Sequence, residues 1–214
     1  MIYIYYCYLS GENHEKLLKK ELPKLPFAFR ERLKKRAKWQ DVQLSVLGMS
    51  LLFTAVKKQY HLNLDAHDIL YNQYNKPYFK GNPVYFNISH SAEIAVCAIT
   101  DKTQLGIDIE KIYQIELGNF KGNMSDCQWN DIVFSNNAQE AFFDYWTQKE
   151  AVIKAAEKGL NINLQSFEIL EKSASVEKEI YFLEEIKIDK SYKCYLAHKI
   201  KGKTCLKSIE IKLI

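Results

Sequence analysis

The chain has 214 residues, of which 47% are hydrophobic, and its 30 basic and 26 acidic residues give a formal net charge of +4. This length and apolar content argue for a buried core and against disorder, and the even charge balance gives no indication of nucleic-acid binding. Because no apolar run is long enough to span a membrane and the cysteines form no C-x-x-C pair, we expect a cytoplasmic protein that binds neither nucleic acid nor membrane.

The first predicted elements are a strand and a long helix. Apolar alternation at Ile2 and Ile4 predicts a strand over residues 1–10. Over residues 26–60, apolar side chains recur at three- and four-residue spacing, which predicts one helix. Its first turns carry a basic run that suits either a solvated helix face or a phosphate-binding surface. The run consists of Arg30, Arg32, Lys34, Lys35, Arg36 and Lys38.

Three apolar runs follow, at residues 84–88, 94–100 and 105–109, and they are separated by short polar breaks. This spacing is typical of an antiparallel meander. If the second and third strands pair across the break at Asp101, Glu110 comes to lie beside Ile94. The polar turn 89–91 would then share one end of the sheet with Glu110.

The second half begins with a polar stretch and a strong helix over residues 138–158, with Asn137 as its cap and Gly159 as its stop. Strands are predicted at 167–170, 180–183, 192–198 and 208–213. The two halves share one plan. We therefore predict an α+β fold of two similar halves, 1–103 and 104–214, each with a small, mostly antiparallel sheet packed on a helix.

Two carboxylates occupy one face of the strand at 105–110. Asp108 and Glu110 alternate with apolar residues, and their Cα atoms are expected to lie roughly 6.6 Å apart at about 3.3 Å per residue. Such a pair can converge on a hard cation such as Mg²⁺, with substrate phosphates completing the shell. An ordinary strand with acidic outer positions explains the same pattern, so both interpretations stay open.

A second group lies on the helix at 138–158. Trp146, Glu150 and Lys154 are four residues apart and therefore share one face. A glutamate four residues before a lysine is also a common surface ion pair. The tryptophan on the same stripe indicates partial burial and favours a site.

A third group is the segment N-I-S-H-S at residues 87–91, where a strand enters a small polar turn with a histidine. Hydroxyls, backbone amides and an imidazole in such a turn suit a phosphate. A single loop histidine is also compatible with a plain turn.

The order and spacing of these segments resemble the 4′-phosphopantetheinyl transferase superfamily, of the surfactin-synthetase-activating type. Its two signatures are similar to G-I-D-I-E at residues 106–110 and W-x-x-K-E-x-x-x-K at residues 146–154. N-I-S-H-S at 87–91 and N-K-P at 75–77 resemble two further motifs. Together the motifs span most of residues 26–170.

The resemblance implies transfer of the 4′-phosphopantetheine group of coenzyme A to a serine of an apo acyl or peptidyl carrier protein. It implies a monomer with its active site at the junction of the two halves, an acidic carrier as partner, and Mg²⁺ as cofactor with Mn²⁺ as an alternative metal. The implied metal ligands are Asp108, Glu110 and Glu150. The implied catalytic residues are Glu150, Lys154 and Asp108, and the implied contacts to coenzyme A are Arg32, Lys76, Pro77, Ser89, His90 and Lys154.

Four departures from the family pattern bear on coenzyme A binding. Phe29 and Leu44 stand at positions where relatives often carry a basic residue, so a less basic pocket is expected for the 3′-phosphate. Gln128 stands where many relatives have a loop glutamate, and Asn75 replaces the usual glycine. None of these changes removes an implied metal ligand.

Two other functions remain open on the residues alone. The carboxylates also suit another metal-dependent phosphotransferase or diphosphate hydrolase, although the N-I-S-H-S segment and the Trp146 stripe do not favour it. A non-catalytic binder of coenzyme A or of a carrier protein is the other alternative. Retention of all three carboxylates argues against that binder.

Overall fold

The structure is a computed structural model that describes residues 1–158, 161–201 and 205–211. It divides into unit 1, described over residues 1–102 and 205–211, and unit 2, described over 103–158 and 161–201. The predicted α+β class is confirmed, since both units combine helices with small sheets. Among the described helices, none has the length and apolar character that crossing a bilayer requires.

Each unit combines one long helix with several short strands. The helices are α1 (His14–Glu21), α2 (Phe27–Lys34), α3 (Trp39–Tyr60), α4 (Asp126–Val133) and α5 (Ala138–Ala155). The strands are β1 (Ile2–Tyr8), β2 (Ile69–Tyr71), β3 (Pro77–Phe79), β4 (Tyr85–Ser91), β5 (Ile94–Thr100), β6 (Leu105–Lys111), β7 (Ser173–Val176), β8 (Glu179–Glu185), β9 (Tyr192–His198) and β10 (Leu206–Glu210).

Unit 1 is built around a four-stranded sheet in the order β10-β1-β5-β4, with α3 packed against it. β5 pairs antiparallel with both β1 and β4, whereas β1 pairs parallel with β10. The apolar face of α3 supplies the core through Leu44, Leu47, Leu51 and Leu52, all of which are buried. β2 and β3 form a separate antiparallel ribbon.

The single helix predicted over residues 26–60 is wrong, because the chain forms α2 and α3 with a break between them. α2 ends where Lys35 and Arg36 donate backbone hydrogen bonds to carbonyls three residues back, and Lys38 is extended. Basic side chains four residues apart, such as Arg32 and Arg36, repel one another on a helix face and disfavour a continuous helix here.

Unit 2 contains an antiparallel sheet in the order β6-β9-β8-β7, and α5 packs against β6 and β9. The predicted cap of α5 is confirmed, since the Asn137 side chain accepts a hydrogen bond from the Glu140 amide at 3.2 Å. Gly159, the predicted stop, lies outside the described residues. The strand predicted at 192–198 is confirmed as β9, but 167–170 does not form a strand.

The predicted meander is also wrong beyond its first two strands. β4 and β5 pair as expected, but β6 pairs with β9 and not with β5. β5 already has β4 on one edge and β1 on the other, so no edge is left for β6. Strand pairing therefore does not bring Glu110 beside Ile94. The strand near the C-terminus, assigned to the second half, instead pairs with β1 in unit 1.

Candidate active site

Gly106 sets the distance between β6 and α5 in unit 2. A Cβ atom on this residue would lie 2.1 Å from the Ala151 carbonyl oxygen and 2.4 Å from the Ala155 amide nitrogen. Both atoms belong to the backbone of α5, so they cannot move aside as a side chain can. Only glycine therefore allows the helix turn that carries Glu150 and Lys154 to pack this closely on the strand that carries Asp108.

Lys154 is the centre of the charged cluster that this packing creates. Its Nζ atom donates to Asp108 Oδ1 at 2.5 Å, and the Asp108 side chain is almost fully buried. Burial alone lowers the pKa of Lys154, but Asp108, Glu150 and Glu110 outweigh it and raise the pKa above its usual value. The three carboxylates singled out from the sequence thus all act on one cationic group.

The pKa of Glu150 is raised above that of an ordinary glutamate. Burial raises its pKa, the Lys154 ammonium opposes this, and the Asp108 carboxylate adds to the rise. A carboxylate with a raised pKa is a better proton acceptor than an exposed glutamate. The direction of this shift is compatible with the predicted role of Glu150 in proton transfer.

Lys149 has a structural role that the sequence motif around it did not predict. Its side chain is fully buried, and Nζ donates to the carbonyl oxygens of Leu164 and Phe167, each at 2.7 Å. Burial lowers the pKa of Lys149 to about 8. Its position on the apolar stripe of α5, three residues before Val152, was the available signal. Lys149, the neighbour of Glu150 in α5, therefore holds the segment after α5 against this helix.

Trp146 packs as its place on the stripe predicts. It is half-buried, its ring stacks on Phe142 at 5.7 Å between centroids, and Phe120 meets it edge-on at 5.5 Å. These contacts anchor the helix face that carries Glu150.

In the part of the chain that the structure describes, no group of three or more His, Cys, Asp or Glu side chains is arranged to hold a metal ion by itself. Asp108 instead meets the ammonium group of Lys154. Mg²⁺ commonly takes one or two carboxylates together with substrate phosphates. The donor set of Asp108, Glu110 and Glu150 is chemically suited to such a shared shell.

Unit 1 brings together three of the residues implied for coenzyme A. Arg32, Pro77 and His90 line one cavity of about 310 Å³, together with apolar side chains of α3, β2 and β4. Arg36 also lines it, so the cavity carries several basic groups. Such a lining suits an anion with an apolar neighbour.

Ser89 and Lys76 are placed differently from these three. The segment 89–91 was predicted as a turn, but it is the end of β4, and the turn follows at Ala92 with a positive φ of 48°. Adjacent strand residues point to opposite faces, so Ser89 and His90 face opposite sides of the sheet. Lys76 precedes β3, and its amide donates to Asn72 Oδ1 at 3.0 Å.

The structure also locates the four residues that depart from the family pattern. Phe29 lines the cavity of Arg32, and Leu44 lines a second cavity of about 550 Å³ that also reaches His90 and Lys38. Gln128 is buried in α4, and neither polar atom of its side chain has a partner among the described residues. Asn75 adopts a positive φ of 62°, the conformation that explains why glycine is usual there.

Comparison with known proteins identifies the family. A model of the 4′-phosphopantetheinyl transferase superfamily matches residues 104–204. The chain is 30% identical to the 4′-phosphopantetheinyl transferase Sfp of Bacillus subtilis (strain 168) over 197 residues, which are 86% of this chain and 85% of that relative. The chain belongs to the 4′-phosphopantetheinyl transferase superfamily.

Two further members of the 4′-phosphopantetheinyl transferase superfamily are similarly related. The 4′-phosphopantetheinyl transferase gsp of Aneurinibacillus migulanus is 34% identical over 165 residues, 72% of this chain and 68% of the relative. A 4′-phosphopantetheinyl transferase of Bacillus subtilis is 34% identical over 143 residues, 65% of this chain and 63% of the relative. The superfamily model coincides almost entirely with unit 2, which holds the Asp108 and Lys154 cluster.

Proposed function

We propose that this chain transfers the 4′-phosphopantetheine group of coenzyme A to a serine of an apo acyl or peptidyl carrier protein, with release of adenosine 3′,5′-bisphosphate. The observation that carries this proposal is the gathering of Asp108, Glu110 and Glu150 around Lys154 within the segment that matches the superfamily model. We also propose that the protein acts in the cytoplasm as a monomer and that its carrier is acidic.

In the proposed reaction, the serine hydroxyl attacks the phosphorus that bears pantetheine, and the bond to the adenosine bisphosphate oxygen breaks. Glu150 accepts the serine proton, directly or through a water, because its raised pKa favours protonation. Lys154 donates to the diphosphate or to the leaving oxygen. Its raised pKa keeps it charged at neutral pH, as this role requires.

We assign Asp108, Glu110 and Glu150 as the residues that would hold Mg²⁺, with Mn²⁺ as an alternative. When bound, the ion neutralises charge on the diphosphate as it is cleaved. An ion held there would share Asp108 with the ammonium group of Lys154, which contacts the same carboxylate.

For the nucleotide part of coenzyme A we assign His90 and Arg32 to the 3′-phosphate and Lys76 with Pro77 to the adenine end. Ser89 lies on the opposite face of β4 from His90, so we assign it only a backbone contact near the 3′-phosphate. The shared cavity of Arg32, Pro77 and His90 supports this assignment. The charges of Arg32 and Arg36 at that cavity favour a phosphate.

The test is incubation of the protein with coenzyme A, Mg²⁺ and several apo carrier proteins, followed by mass spectrometry of each carrier. A mass gain of one phosphopantetheine is expected, and it should be absent from a carrier whose acceptor serine is changed to alanine. Release of adenosine 3′,5′-bisphosphate without any carrier would instead indicate a diphosphate hydrolase. Binding of coenzyme A without either product would indicate a non-catalytic binder.

A further inference from the structure

Arg32 is held between two aromatic rings in unit 1. Its guanidinium carbon lies 5.4 Å from the centroid of the Phe29 ring and 5.3 Å from that of Tyr71. Both distances are within the range of about 6 Å in which a cation is attracted to a ring face. In addition, Nη2 donates to the Tyr71 hydroxyl oxygen at 2.9 Å. Phe29 comes from α2, whereas Tyr71 comes from the β2–β3 ribbon, so two separate elements contact one guanidinium of an exposed arginine.

These three residues, Phe29, Arg32 and Tyr71, form a clamp that lines the same cavity as His90 and Pro77. Without such contacts, a long and partly solvated arginine side chain would sample many rotamers. The guanidinium has five N–H donors, and the bond to Tyr71 uses one of them. The others can still meet an anion in the cavity.

We propose that Phe29 and Tyr71 are positioning residues that preorganise Arg32 for the 3′-phosphate of coenzyme A. This inference rests on the proposed function. Ordering a long side chain on binding costs affinity, and a guanidinium that is already fixed avoids that cost. Phe29, which leaves the pocket with one basic group fewer, thereby strengthens the hold of Arg32 on the phosphate.

The experiment measures binding of coenzyme A and of 3′-dephospho-coenzyme A to the full chain by isothermal titration calorimetry. Tyr71→Phe keeps the ring and removes the hydroxyl. It should weaken coenzyme A about three- to tenfold, the worth of one hydrogen bond, and leave 3′-dephospho-coenzyme A within about twofold. Phe29→Leu and Tyr71→Leu should each lower the preference for the 3′-phosphate in the same way. The apparent KM for coenzyme A should rise while kcat stays unchanged.

The matched control is Tyr78→Phe, which removes a hydroxyl from the opposite face of the same ribbon and should change neither affinity. A double-mutant cycle tests the coupling directly. Tyr71→Phe should not weaken coenzyme A binding further in the Arg32→Ala background. Equal losses for both nucleotides, or an undiminished effect of Tyr71→Phe in the Arg32→Ala background, would overturn the inference while leaving the proposed transfer intact. Failure of the unaltered chain to bind coenzyme A would overturn both.

Discussion

In each unit a glycine lets a long helix pack closely against a sheet. The two contacts would tolerate an added Cβ atom to different degrees. In unit 1 the glycine is on the helix, where a Cβ on Gly48 would lie 2.6 Å from the γ2 methyl of Ile88. In unit 2 the glycine is on the strand, and Gly106 faces helix backbone. The Ile88 side chain can shift by a change of its χ1 angle, but the backbone of an α-helix cannot yield locally. The contact that places the catalytic candidates is therefore the more rigid of the two.

The two units also differ in how their charged groups are arranged. In unit 2, opposite charges meet at a buried position, as in the contact of Lys154 with Asp108. In unit 1, the basic groups of Arg32 and Arg36 line a cavity that an anion can enter. The first arrangement sets three carboxylates against one ammonium group and so suits a cation, while the second gains most when a phosphate arrives. We expect changes in unit 2 to affect turnover and changes in unit 1 to affect affinity.

The largest effect is expected from the carboxylates. Asp108→Ala, Glu110→Ala and Glu150→Ala should each lower carrier modification by about a thousandfold or more, since several kcal/mol of transition-state stabilisation is lost. Melting curves should show a folded protein, and Asp108→Asn serves as a variant that keeps the size of the buried side chain. Glu185→Ala, at an exposed carboxylate of β8, is the control and should retain activity. Near-normal turnover of any of the three would remove that residue from the site.

The glycine comparison can be tested directly. Gly106→Ala should lower the free energy of unfolding by about 3 kcal/mol, because the new methyl group meets backbone that cannot relax. Gly48→Ala should cost about 1 kcal/mol or less, because the Ile88 side chain can adjust and alanine favours the helix. Denaturant unfolding measures both values. Equal losses would show that the strand contact is no more rigid than the helix contact.

In unit 1, His90→Ala should weaken coenzyme A about ten- to a hundredfold, the worth of one charge-assisted hydrogen bond of roughly 1.5 to 3 kcal/mol. The loss for 3′-dephospho-coenzyme A should be much smaller, because that nucleotide lacks the group we assign to the imidazole. Titration with both nucleotides checks this. If His90→Ala weakens the binding of both nucleotides equally, His90 shapes the end of β4 but does not contact the 3′-phosphate.

The smallest effect concerns the carrier. We expect residues 118–137 and the segment after Gly159 to contact an acidic carrier. The apparent KM for the carrier should then rise several-fold as salt is increased from about 0.05 to about 0.5 M. Steady-state kinetics at fixed coenzyme A measures the change. A KM that does not depend on salt would contradict this docking.

Local patterns predicted the local geometry well. Alternation along 105–110 placed Asp108 and Glu110 on one strand, and the four-residue spacing placed Glu150 and Lys154 on one helix face. The pairing of β6 with β9 was missed, because partners so far apart in sequence leave no periodic signal. The clamp around Arg32 was missed for the same reason. Phe29 lies three residues away in α2, but Tyr71 lies 39 residues away in the chain.

The parallel pairing of β10 with β1 has a consequence for how the chain folds during synthesis. Residues 206–210 complete the sheet of unit 1 but leave the ribosome only after all of unit 2 has been made. Until then, one edge of β1 lacks its partner, and an open strand edge is a site of mispairing. Unit 2 is continuous in sequence and can finish earlier. The order of completion is thus inverted, and unit 1, which begins first, is finished last.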